Sequence, residues 1–106
     1  MKLSQAIREG AKLHEQHFNS MFQHRNRQIV RSCAFGAALV GLFGSRQTED
    51  KMLSDIERET GAALHGAATN PVTGAEDELS EVILYLNDEQ RWTREAIADW
   101  LESIGY

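Results

Sequence analysis

The 106-residue sequence predicts an all-α fold, a compact bundle of about five short helices around a central apolar helix at residues 32–43. Three observations predict it. Residues 32–43 are apolar on nearly every side, as in a helix surrounded by others. Leu79, Val82, Ile83 and Leu86 follow the i, i+3, i+4, i+7 spacing of one helix face, and Ile97, Trp100, Leu101 and Ile104 repeat it. Pro71 is the only proline, and no segment alternates apolar and polar residues as a half-buried strand does. At this length the chain is expected to form one domain, 1–106.

The elements follow in order. Ser4 is placed to cap a first helix that presents Leu3, Ala6, Ile7 and Gly10 or Ala11 on one side. Phe18, Met21 and Phe22 extend a helical spacing over 12–24. In the central segment, Ala34 and Ala38, like Ala37 and Gly41, are small residues four apart that let another helix approach closely. Gly44 is the expected C-cap. Ser54 to Glu57 and Thr73 to Glu76 both match capping boxes, and 66–74 reads as a loop. Asn87 and Asp88 are expected to end one helix and Thr93 to cap the last, the two forming a C-terminal αα-hairpin.

Charge is divided along the chain. Residues 1–45 carry six Lys/Arg and two acids; residues 46–106 carry five and fourteen, so the halves sum to +4 and −9. The halves can pair with one another or face different partners. Cys33 is the sole cysteine, which excludes an intrachain disulfide, and its apolar surroundings predict a buried thiol. The N-terminus lacks a signal-peptide core, and the apolar run from Cys33 to Phe43 is too short to span a bilayer. A cytoplasmic protein without membrane partners is expected.

No catalytic triad order, phosphate loop or dinucleotide fingerprint occurs, and no cofactor is expected. His14 and His17, three apart, with His24 two helical turns on, are weak candidates for a metal site; a zinc site needs at least three protein ligands. Arg25, Arg27 and Arg31 are a candidate anion-binding segment, although the sequence pI near 5.3 is not that of a dedicated nucleic-acid binder. Trp92 either staples the last helix or stands exposed as an interface anchor.

Three stretches, Met1–Ala11, Ser32–Ala38 and Leu86–Leu101, resemble a group of short uncharacterised bacterial and phage-borne proteins. The resemblance implies a bacterial or phage-borne cytoplasmic origin. Members of that group often place two nearby cysteines between the second and third stretches. This chain has none there, so no metal or redox role carries over.

The leading functional expectation is a non-catalytic helical interaction module that binds a protein partner or forms a homodimer. The alternatives are a nucleic-acid-binding accessory protein using 25–31 and a small metal-dependent enzyme using His14 and His17.

Overall fold

The computed structural model describes residues 1–106 and corrects the expected fold class: the chain is mixed α/β, not an all-α bundle. The elements are α1 (Leu3–Ala11), β1 (Glu15–Gln16), β2 (Phe22–Arg25), β3 (Gln28–Ser32), α2 (Ala34–Phe43), α3 (Leu53–Thr60), β4 (Ala67–Thr69), β5 (Glu76–Glu78), α4 (Leu79–Leu84), a π-helical turn (Tyr85–Glu89) and α5 (Arg94–Ser103).

The largest departure lies at 12–24, where two strands replace the expected helix. β3 is the centre of a three-stranded sheet. β1 pairs with it in parallel, Glu15 opposite Arg31, and β2 pairs in antiparallel, Gln23 opposite Arg31 and Arg25 opposite Gln28. Asn26 and Arg27, at φ 52° and 65°, form the two-residue loop joining β2 to β3. Two left-handed residues in succession suit the twist of a tight hairpin. A bulge between Gln23 and His24 leaves Val30 without a partner in the ladder, which erases clean alternation along β3.

The expected loop at 66–74 is a second hairpin. β4 and β5 pair Ala67 with Glu78 and Thr69 with Glu76. Asn70 Oδ1 shapes the connection by accepting hydrogen bonds from the amides of Val72 (2.9 Å) and Thr73 (3.2 Å). Thr73 therefore lies in a turn and caps no helix. The other expected box is displaced by two residues: the Met52 amide donates to Asp55 Oδ2 (2.8 Å), and α3 starts at Leu53. Thr93 does cap α5, its Oγ1 accepting from the Ala96 amide at 3.0 Å. α5 packs chiefly along α1, so the C-terminal αα-hairpin is not the pairing that forms.

The core is centred on α2, buried from Ala34 through Val40. Its closest neighbour is α1. A Cβ added to Gly10 would lie 1.7 Å from the Ala37 oxygen, and one added to Gly41 2.0 Å from the Ala6 oxygen. The two backbones thus touch directly through Ala6 and Gly10 on one helix and Ala37 and Gly41 on the other. Across the other side of α1, Arg8 joins Asp99 (2.7 Å), Glu102 (2.9 Å) and Glu95 (3.5 Å), three acids on one face of α5. Cys33 is buried at the N-cap of α2, where its Sγ accepts from the Gly36 amide and burial raises the thiol pKa.

Asn87, 1% exposed in the π turn, joins the sheet to α2. Its Oδ1 accepts from the Ala34 amide, an otherwise free donor at the start of α2 (3.1 Å), and from Gln16 Nε2 of β1 (3.0 Å). Its Nδ2 donates to the His17 carbonyl (3.0 Å) and to Asp88 Oδ1 (2.7 Å). All four hydrogen-bonding positions of the amide are filled.

The α1–α2 contact leads to a stability prediction. Alanine normally gains about 1 kcal/mol over glycine in a helix interior. Gly41→Ala is nevertheless expected to destabilise the protein by about 3 kcal/mol, because the new methyl meets backbone that cannot yield. Urea denaturation of the variant beside the parent measures the sign directly.

Candidate functional site

The β2–β3 hairpin separates two grooves. The first, of about 720 Å³, is bordered by Lys12, Leu13 and His14 after α1, Glu15 of β1, Gln23 and Arg25 of β2, Val30 and Arg31 of β3, and Arg94 of α5. The second, of about 1140 Å³, is bordered by Phe22 and His24 of β2, Arg27 of the turn, Ile29 of β3, and Arg46, Glu49 and Lys51 from the segment after α2. His14 borders both.

The grooves concentrate positive charge that the sequence scatters. Seven of the eleven Lys and Arg line them, against two of the sixteen acids, Glu15 and Glu49. The chain carries a net −5, yet its two grooves together carry +5. Arg25 and Arg27 form no ion pair, and Arg31 reaches only Glu15 at 3.5 Å. Of the two possibilities the charge division leaves open, pairing of the basic segment 25–31 with the acidic half does not occur; of residues 1–45, only Arg8 pairs with acids from 46–106.

Arg94 secures the first groove. It is 7% exposed, and no carboxylate pairs with it. Its Nη1 donates to Ser32 Oγ (3.0 Å) and to the Ser32 carbonyl (3.3 Å); its Nη2 donates to the carbonyls of His14 and Ala11. One guanidinium thereby ties α5 to β3, to the segment before β1 and to the C-terminal end of α1, where a cation is favourable. Burial lowers its pKa, but a guanidinium stays charged. A cation in the first turn of α5 opposes that helix's own dipole. This was the sequence signal that Arg94 serves something outside its own helix. Arg46 and Lys51 offered no comparable signal, since only the fold brings them beside Arg27.

The remaining candidates are placed as follows. His17 Nε2 is hydrogen-bonded to Ser20 Oγ at 2.7 Å, and His24 stands edge-on to Phe22 with ring centroids 5.9 Å apart. Nowhere do three His, Cys, Asp or Glu side chains gather as metal ligands, and His14, His17 and His24 form no joint donor set. Trp92 is half-buried against the core, its carbonyl accepting from Gln16 Nε2 at 2.7 Å, and it borders neither groove. No helix is long and apolar enough to cross a membrane.

His14 is held neutral. Its Nδ1 is buried without a hydrogen-bond partner, and its pKa lies below the ordinary value of 6.5, first through burial and second through repulsion from Arg94. The unfolded chain therefore binds the proton more readily than the folded one, so stability is complete above about pH 6.5 and declines as pH falls through it. His14→Gln is expected to flatten this decline. Melting temperatures of parent and variant at about pH 7.5 and pH 5.5 provide the check, with the larger acid-side drop in the parent.

Comparisons with protein-family models, curated proteins and solved structures return no significant match.

Proposed function

We propose that the chain is a non-catalytic binding module for a polyanion, and that nucleic acid is the class its geometry fits best. The observation that carries this reading is the +5 collected around the β2–β3 hairpin of an otherwise acidic chain, with Arg25 and Arg27 free of internal partners. A row of phosphates presents regularly spaced single charges, and cations standing along both faces of a narrow two-stranded ribbon can follow it. Acids of the remainder that lie beyond about 8 Å oppose such binding little, because charges at that separation are largely screened at physiological salt. The cytoplasm is the compartment proposed.

Fluorescence anisotropy with labelled DNA and RNA oligonucleotides tests the reading. Affinity is expected to fall about tenfold or more between about 50 and 200 mM salt, and Arg25→Glu with Arg27→Glu is expected to remove most of the binding at low salt. Unchanged affinity in the double variant overturns it.

A second reading is a homodimer. Glu76, Asp77 and Glu78 of β5 are all exposed, and only Glu78 has a partner, His65 at 3.7 Å. Two copies could set this acidic hairpin against the arginine hairpin of each other in reciprocal contact. Light scattering over a salt series distinguishes the readings: a monomer at every ionic strength excludes the dimer.

A further inference from the structure

We propose that the first groove is a subsite for a phosphate monoester carried on a nucleoside. The source is either the terminal phosphate of a nucleic-acid strand or a free mononucleotide. The strand-end source rests on the polyanion reading above; the mononucleotide source does not.

Charge selects the monoester. Lys12, Arg25, Arg31 and Arg94 line the groove against one lining carboxylate, Glu15, which Arg31 holds, and Lys12 also pairs with Glu9 at 3.2 Å just outside the lining. An internal phosphodiester brings one negative charge. A monoester brings about −1.5 to −2 and a third free oxygen, which matches the two positive charges left in excess once Glu15 and Glu9 are counted against the four cations.

Arg94 supplies the second argument. Its acceptors within the chain are all neutral oxygens, so a buried guanidinium stands without a counter-ion. Such a charge is unfavourable until an anion comes near. Its Nη atoms are occupied and its Nε makes no hydrogen bond within the chain, so its action on a ligand is chiefly electrostatic. Lys12, Arg25 and Arg31 are the exposed groups able to move onto phosphate oxygens.

The groove also has an apolar part. Leu13 is 62% exposed and, with half-buried Val30, borders the same space. Apolar surface beside a cluster of cations suits a ligand with a nucleoside attached to its charge. The volume of about 720 Å³ lies in the range of small-molecule sites and far exceeds the needs of phosphate alone.

The test compares one oligonucleotide ending in phosphate with the same strand ending in hydroxyl groups, and adds adenosine monophosphate and adenosine as separate probes. The phosphorylated strand is expected to bind about tenfold more tightly, the scale of one charge-assisted hydrogen bond. Adenosine monophosphate, unlike adenosine, should displace that end and shift the amide resonances of residues 12–15 and 30–31. K12A/R31A should abolish the preference yet retain weaker, salt-sensitive binding of the hydroxyl-ended strand through the second groove.

Equal affinity for both strands, with no response to adenosine monophosphate, overturns the subsite and leaves the polyanion reading intact. Retention of the preference in K12A/R31A overturns it as well. Binding of adenosine monophosphate with no binding of either strand supports the subsite, identifies the free mononucleotide as its source, and overturns the nucleic-acid reading.

Discussion

Direct backbone contact between α1 and α2 is the constraint on which the rest of the molecule depends. Gly10 and Gly41 carry no side chain because none fits: the opposing carbonyls occupy the space. This contact puts α1 against the most buried helix of the chain and determines where its C-terminal end points. The polypeptide leaves that end through Lys12 and Leu13 and enters β1 two residues later. The first groove opens at this junction, so its position is set by helix packing before any groove residue contributes.

Two polar side chains then hold the sheet against the helices. Arg94 reaches from α5 to β3 and to the segment between α1 and β1; Asn87 reaches from the π turn to Gln16, His17 and the start of α2. Both are buried; Arg94 binds mainly to backbone carbonyls, and Asn87 divides its four hydrogen bonds equally between backbone and side chains. A three-stranded sheet with a two-residue edge strand offers little apolar area of its own, and strands this short need support from packing. The polar connections supply that support and leave Arg25 and Arg27 of the hairpin free of internal partners.

Much of the helical scaffold was legible. The stripe Leu3, Ala6, Ile7, the small residues Ala37 and Gly41, and Thr93 as a cap all occupy the places their chemistry suggests, and the apolar segment expected as a helix at 32–43 is helical from Ala34 to Phe43, with Ser32 ending β3 and Cys33 as the N-cap. The sheets were not legible. Their strands are two to five residues long, β1 reaches β3 only across the intervening β2, and a bulge masks the alternation of β3. Phe18, Met21 and Phe22 happened to imitate a helix face. The site was half legible: Arg25, Arg27 and Arg31 stood out as a cluster, but Arg46, Lys51 and Arg94 come from the half of the chain that sums to −9. Counting charge along the chain hid a segregation that exists only in space.

The tip of the hairpin carries one last consequence. Arg27 adopts φ 65°, a conformation that disfavours any residue with a Cβ by roughly 1–2 kcal/mol, and glycine is the usual occupant of such a loop. A ribbon optimised only for holding its own shape would end in Asn-Gly. Here the turn instead tolerates local backbone strain and gains a long, exposed cation beside the second groove, so some stability has been surrendered for charge.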